Sequence, residues 1–395
     1  LYLHFFKEPA MKKATRQQSK DHNTRLVLKT IYDAGEISRA DIARATRLTR
    51  PTVSAIVTNL MDSQFVIETG QGPSAGGKRP TLLRVAEDSY HLLAVDLGSQ
   101  EFRGALINLR GEIRHHRALP VNHQQAEAAL TLVYTLLDQL TAVSTTPLLG
   151  ISIGTPGLVD APKGIIRHAV NLNWVDLPLA ELLTARYNLP IYLANDSHMA
   201  ALAEYTFGTT RDSRHLIVIK IGRGVGAGIV LHGQPFYGDG LSAGEIGHVA
   251  VDGRPNGRLC TCGNTGCLET VASAAAILRQ AQEAAAQPDL TWEDVAAAYA
   301  QGETAVTAIV HHAAHALGQA IAGLIGSLNV HHIVLAGPVV ALGQPYLQAV
   351  TAAARQHVMP TLAADTQISF AALGSDIVIL GCSAMILNEE LGIIS

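Results

Sequence analysis

LIVIKIGRGVGAGIVLHG, residues 216–233, reads as a buried strand, a glycine-rich turn and a second buried strand. Short apolar runs bounded by turn glycines favour strands over helices. The same design occurs earlier, where LLAVDLG (92–98) leads into FRGALINLRGEI (102–113), an alternating strand that turns at Arg110–Gly111. After this first hairpin come a helix over Ala126–Val143, strands in LLGISIGTPGLVD (148–160) and PIYLAND (190–196), and a helix from Ser197 to Phe207. After the second come long Ala-rich helices, strands in HHIVLAGP (331–338) and QISFAAL (367–373), and a final helix from Ile377. The body is therefore expected to be two lobes that open in the same way.

Two α/β lobes, each beginning with a strand hairpin whose turn is Gly-rich, point to a duplicated actin-like ATPase architecture with a ligand cleft between the lobes. The expected limits are 90–210 for the first lobe and 211–395 for the second, whose last helix has the option of packing back on the first.

Ahead of the lobes the texture differs. A first helix from about His22 to Ala34 groups Val27, Leu28, Ile31 and Tyr32 on one side. Ser38, three residues before Asp41, is placed to cap a second helix through Ala45. Thr49 caps a third, with Pro51 in its first turn and Val53, Ile56, Val57 and Leu60 at helical spacing. A strand near Phe65–Glu68, the turn-rich GQGPSAGGKRP (70–80) and the strand TLLRV (81–85) form a β-hairpin. Three helices and a hairpin are the winged helix-turn-helix order, over residues 20–86. The DNA-reading candidates are Arg47, Thr49, Arg50, Thr52 and Ser54 at the start of the third helix, with Lys78 and Arg79 in the wing.

Charge agrees with this division. The chain of 395 residues carries a net −4, yet residues 1–90 hold 14 Lys/Arg against 9 Asp/Glu. A basic front on an acidic body fits a polyanion partner for the front alone. With 48% hydrophobic and 16% charged residues, disorder is not expected. No apolar run is expected to approach the roughly 20 uncharged residues of a bilayer span. The opening LYLHFFKEPA lacks the basic flank and cleavage site of a signal peptide, and Met11 before KKATRQQ resembles a start. A cytoplasmic location without membrane association is expected.

Three of four cysteines fall within eight residues. His248 followed by Cys260, Cys262 and Cys267 offers one imidazole and three thiolates, a closed tetrahedral set that suits structural zinc; free or oxidised thiols are the plainer alternative. Gly263 and Gly266 allow the loop to curl. Cys382, in an apolar helix, reads as core. Asn195 and Asp196 end a strand, where α/β folds place ligands, while Glu245 and Glu269 flank the zinc loop. Several such acceptors facing one cleft suit a polyhydroxylated sugar, and Asp196 is also placed to act as a general base.

GEIGHVAVDGRPNGRLCTCGNTGCLE (244–269) resembles the signature of the ROK family of repressors and sugar kinases, and ANDSHMAALAE (194–204) resembles its sugar-binding segment. The likeness covers residues 20–390 and includes GGKRP (76–80) in a repressor-type wing. It implies a sugar site of Asn195, Asp196, Glu245, His248 and Glu269, with Asn171 in NLNW (171–174) as a further contact. It also implies that His248 doubles as a zinc ligand, and that Asp196 would be the base in a kinase. The phosphate side departs from the kinase pattern. Glu101 follows the first Asp-x-Gly turn closely, Arg223 replaces a small hydroxyl residue in Gly222–Gly226, Pro338 replaces a Gly, and His198 replaces a commoner Asn.

The reading that unites these features is a sugar-responsive regulator, a repressor rather than an enzyme. It would bind double-stranded operator DNA as a homodimer or homotetramer, respond to a sugar or sugar-phosphate effector, and contain structural zinc. An ATP-dependent sugar kinase with an attached DNA-binding domain is the alternative, and a protein-interaction module a third.

Overall fold

The computed structural model describes residues 15–73, 79–210, 213–251 and 257–394, which divide into two compact units. The first contains α1 (Arg16–Ala34), β1 (Ile37–Ser38), α2 (Arg39–Thr46), α3 (Arg50–Asp62), β2 (Val66–Gln71) and β3 (Thr81–Val85). Its strands pair in the order β1-β3-β2. Local chemistry sets the helix ends. The hydroxyl of Ser38 accepts from the Asp41 N–H, that of Thr49 accepts from the Thr52 N–H, and Pro51 stands in the first turn of α3. Val27, Ile31, Ile42, Val53, Val57 and Leu83 are wholly buried and form the centre of this unit.

Residues 387–394 also belong here, which departs from the expected 20–86 and 211–395 limits. The Arg25 guanidinium donates to the Glu389 carbonyl at 3.3 Å, and the Lys29 ammonium to the Ile393 carbonyl at 2.8 Å. Leu391 and Ile393 are buried. The unit is thus closed by both ends of the chain, a long-range pairing that no local pattern announces.

The second unit, Tyr90–Ile386, contains two matching sheets. In the first lobe, β4 (His91–Leu97), β5 (Glu101–Ile107), β6 (Ile113–Pro120), α4 (Ala126–Val143) and β7 (Leu148–Thr155) are followed by a small sheet of β8 (Leu158–Asp160), β9 (Ile165–Ala169) and β10 (Trp174–Leu177). Then come α5 (Leu179–Tyr187), β11 (Ile191–Asn195) and α6 (Asp196–Phe207). The second lobe has β12 (Leu216–Ile221), β13 (Val225–Leu231), β14 (Gln234–Pro235), α7 (Glu269–Ala272), α8 (Ala274–Ala285), α9 (Trp292–Ala300) and α10 (Thr304–Leu328). It ends with β15 (His332–Ala336), α11 (Gly343–Gln356), α12 (Pro360–Asp365), β16 (Gln367–Phe370) and α13 (Ile377–Ile386).

The sheet orders are β11-β7-β4-β5-β6 and β14-β13-β12-β15-β16. Read from opposite ends they are the same topology: an antiparallel hairpin joined to two parallel strands. In this correspondence Asp96 of Asp-Leu-Gly and Lys220 of Lys-Ile-Gly hold equivalent places. The helices that follow the last strands, α6 and α13, pack on each other, α6 also reaching β12 and β13 while α13 reaches β4 and β7. At their closest approach a Cβ on Gly381 would lie 1.8 Å from the Met199 carbonyl oxygen, so only glycine permits the contact.

The expectation about apolar length is corrected by α10. This helix has 25 residues and is long and apolar enough, by length and composition, to cross a membrane. Ten of them are buried, including Val310, Leu317, Ile321 and Ile325, and α7, α8, α9 and α11 all pack against it. Its composition follows from being enclosed on several sides.

At the end of α6, Glu204 is fully buried. One carboxylate oxygen accepts from the Thr209 N–H at 3.1 Å and the other has no hydrogen-bond partner among the described residues. Burial raises its pKa. A raised folded-state value adds no cost below the ordinary carboxylate range, and a growing cost as pH rises through it. Glu204→Gln should therefore stabilise the protein at pH 8 by on the order of 1 kcal/mol and give no gain at pH 4, measured by thermal unfolding at both pH values.

Candidate functional site

In the first unit, Arg47 has a left-handed backbone (φ 57°) in the turn between α2 and α3, and Arg50 opens α3. Both are exposed and carry no ion pair among the described residues. Ser54 is exposed on α3, and Arg79 is exposed just before β3. The two threonines are less available than the sequence implies. Thr49 uses its hydroxyl as the helix cap, and Thr52, half-buried, pairs with that hydroxyl at 2.8 Å. Lys78 lies outside the described residues. Arg39 pairs with Glu68 at 3.0 Å and fixes α2 to the hairpin.

In the second unit the motif Gly244-Glu-Ile-Gly-His248 is shaped by its glycines. A Cβ on Gly244 would lie 1.8 Å from the Ala227 carbonyl oxygen and one on Gly247 2.2 Å from that of Val225. The segment is therefore pressed against β13, and Ile246 and Gly247 are buried while Glu245 and His248 keep partial access. His198, buried on α6, donates from Nε2 to the Ala243 carbonyl at 2.8 Å and meets the Tyr237 ring edge-on. Burial lowers its pKa, consistent with a neutral ring. Its function here is to hold the approach to Glu245.

The imidazole of His248 faces two ways. Nδ1 is 3.4 Å from the Cys260 sulfur, and Nε2 is 3.8 Å from a Glu245 carboxylate oxygen. The sulfurs of Cys262 and Cys267 are 3.7 Å apart, and the ligand atoms of His248, Cys260, Cys262 and Cys267 all lie within 4.8 Å of one another. Sulfurs about 2.3 Å from a tetrahedral metal would be about 3.8 Å apart, so the set fits a four-coordinate ion. A disulfide would require about 2.05 Å. The loop is shaped by a Gly263 N–H bond to the Cys260 carbonyl and by left-handed backbone at Gly263 and Gly266. Cys382 is wholly buried on α13, away from this group.

Glu269, two residues beyond Cys267, opens α7. One carboxylate oxygen is 3.5 Å from the Cys260 sulfur, and the other sits where a Cβ on Gly224 would be within 2.4 Å. The metal loop and the second glycine turn therefore meet at Glu269. Burial raises the Glu245 pKa; the His248 charge opposes this, while Asp196 and Glu269 add to it. Asp196, Glu245, His248 and Glu269 thus share one electrostatic neighbourhood.

Asn195 is different. Its amide N–H donates to the Gly157 carbonyl at 3.0 Å and its oxygen accepts from the Ser197 N–H at 2.8 Å, capping α6. It positions Asp196 at the helix start. Asn171 lies apart from the acids, in an open recess between the first glycine turn and Arg223.

The charges at the floor of the cleft are paired internally. Lys220 donates to Asp196 at 2.8 Å. Arg103, directly across the ladder from Asp96, donates to its carboxylate at 2.7 Å and also bonds the Ser375 carbonyl at 2.6 Å. Desolvation raises the Asp96 pKa against the pull of Lys220 and Arg103. Desolvation also opposes the Lys220 charge, but the attraction of Asp196 and Asp96 prevails and raises its pKa. Glu101, which follows the first Asp-x-Gly turn closely, has its carboxylate 3.8 Å from Arg103 Nε, which offsets part of its negative charge. Pro338 stands beside Gly222, and its carbonyl accepts from the Trp292 indole at 3.1 Å.

Lys220 and Arg103 were not among the residues singled out from the sequence. Each lies in a strand whose local pattern records only alternation, and their partners are 24 and 7 residues away. The one signal for Lys220 was a lysine within an otherwise apolar strand.

Comparison with known proteins places this geometry in context. A ROK family model matches residues 92–389, and a winged helix-turn-helix DNA-binding model matches residues 20–67. The chain is 30% identical over 389 residues to the xylose repressor of Caldicellulosiruptor bescii, covering 94% of this chain and 97% of that protein. It is 34% identical over 315 residues to a glucokinase of Halalkalibacterium halodurans, covering 75% of this chain and 95% of the kinase. A solved ROK family transcriptional regulator, a homolog of the E. coli MLC protein, superposes with a TM-score of 0.83 at 27% identity, covering 95% of this chain and 98% of that one. The chain belongs to the ROK family and joins its two-lobed sugar-kinase-like body to an N-terminal winged helix-turn-helix.

Proposed function

We propose that the chain is a sugar-responsive transcriptional repressor of the cytoplasm, acting as a symmetric homodimer or homotetramer on double-stranded operator DNA. Its α3 helix would lie in the major groove, with Arg47, Arg50 and Ser54 toward bases and phosphates and Lys78 and Arg79 in the wing alongside. The effector, a sugar or sugar phosphate, would occupy the cleft beside Asp196, Glu245, His248 and Glu269, with Asn171 at its edge. Release from DNA then requires that the effector bind two conformations with different affinity.

The observation that carries this reading is the 2.8 Å contact between Lys220 and Asp196. An aspartate that accepts a hydroxyl proton must be free to reach it, and phosphoryl transfer needs acids available to cations and phosphates. Here Asp196 and Asp96 each hold a side-chain cation. That arrangement suits a binding site better than a kinase. The likeness to a glucokinase keeps phosphorylation as the rival reading.

Zinc is the proposed occupant of the His248, Cys260, Cys262 and Cys267 group. These four residues fill a tetrahedron and leave no open position, so the metal's contribution is structural. It would fix His248 through Nδ1 and thereby present Nε2 to Glu245 and the sugar.

Four outcomes test this reading. With ATP, Mg²⁺ and a panel of pentoses, hexoses and amino sugars, a coupled assay should record no turnover; sustained phosphorylation would establish the kinase. Binding to DNA from upstream of its own gene should weaken as salt rises, and Arg50→Ala should reduce discrimination between operator and random DNA by about 1–3 kcal/mol. Glu245→Gln should leave DNA affinity unchanged and remove the response to sugar. Finally, the purified protein should contain one equivalent of zinc by mass spectrometry. Cys262→Ser should lose it, and the metal-free protein should bind operator while responding poorly to sugar.

A further inference from the structure

The second lobe carries imidazoles that neither the sugar site nor the cysteine loop uses. We infer that His315, Gln319 and His357 form a further metal site, for a first-row divalent ion such as nickel, copper or zinc. Both histidines are exposed on α10 and at the end of α11, and the site shares no residue with the His248 group.

The two helices supply a stiff frame. They meet at Gly318, where a Cβ would lie 2.5 Å from that of Ala353 and 2.8 Å from the Ala354 nitrogen. His315 and Gln319 flank this glycine in sequence and stand one turn apart, on one face of α10. His357 follows the last residue of α11. The backbone there sets its ring chemistry. Nδ1 lies 2.8 Å from the Ala353 carbonyl, and a carbonyl only accepts, so Nδ1 carries the hydrogen and Nε2 the lone pair. Histidine metal ligands are held in this way, one nitrogen donating to a carbonyl and the other left to bind. Nε2 is 3.2 Å from the side-chain nitrogen of Gln319, and half a turn of that amide presents its oxygen instead.

The ring spacing suits a shared ion. A metal about 2.0–2.1 Å from each nitrogen, with an angle of about 90–110° between them, holds two imidazole centres about 4.5–5.2 Å apart. The centres of His315 and His357 are 5.1 Å apart, with their planes at 74°. Neither ring has an ion pair among the described residues to account for its position. His311, a further turn back on α10, is outside the set, since its ring meets Tyr299 edge-on at 6.0 Å. Two imidazoles and an amide oxygen favour nickel, copper or zinc over magnesium or calcium. Three protein ligands leave the other positions to water, so this ion is exchangeable, unlike one enclosed by four ligands.

The test uses the full-length protein as purified, after its metal content has been measured. Titration with Ni²⁺ should show one added equivalent by calorimetry. X-ray absorption at the nickel edge should show imidazole scattering and no sulfur. His315→Ala and His357→Ala should each weaken this binding by about tenfold or more, and Gln319→Ala by less. His311→Ala and His215→Ala should leave it unchanged. Ni²⁺ should also raise the unfolding temperature of the unmodified protein, and not that of His315→Ala or His357→Ala. Because both side chains are exposed, the two variants should unfold at the unmodified protein's temperature when no Ni²⁺ is added. Sulfur in the nickel shell, or binding that survives both His315→Ala and His357→Ala, would overturn the inference. So would the absence of an added equivalent at about 1 mM Ni²⁺.

Discussion

The body of the protein depends on the crossing of α6 and α13, where the Gly381 backbone meets the Met199 carbonyl with no room for a side chain. Each helix follows the last strand of its own lobe and then packs against strands of the other. The lobes are thus interlocked through two buried helices rather than apposed across a flat surface. Protein interiors tolerate little extra volume, so the closeness of this contact limits how the lobes can turn about it. The same crossing sets the position of Asp196, which is the first residue of α6 and therefore moves with it.

Duplication explains the charge pattern in the cleft. Two equivalent hairpins bring Asp96 and Lys220 to matching positions in their sheets, one acidic and one basic. A symmetric pair of acids there would need a cation from outside. The substitution of a lysine in one copy supplies that cation from within, and a buried pair of this kind is costly to break because the survivor is left uncompensated. The lysine side chain also sits where the electrostatic attraction of two aspartates outweighs its desolvation.

Much of this was legible in the sequence because it is local. The caps at Ser38 and Thr49, the α3 stripe of Val53, Ile56, Val57 and Leu60, and the limits of α4 follow from residues within a few positions of one another. The convergence of His248 with the three cysteines was legible because thiolate spacing and loop glycines leave few arrangements. What escaped is long-range or already committed. The pairing of residues 387–394 with α1 spans most of the sequence, and Lys220 of one lobe meets Asp196 of the other. Asn195 and Thr49 have the right chemistry for ligand contacts, but their polar atoms are used by nearby backbone. Residue type gives the capacity for a bond; only the fold says which partner takes it.

The chain crosses between its two units twice, once after Ser89 and again after Ile386. The second crossing leaves directly from the end of α13, and the residues that follow are fastened to α1 by bonds from Arg25 and Lys29. Because α13 is packed on α6, and α6 begins at Asp196, any rearrangement that a ligand imposes on that helix start acts on an element covalently continuous with the first unit.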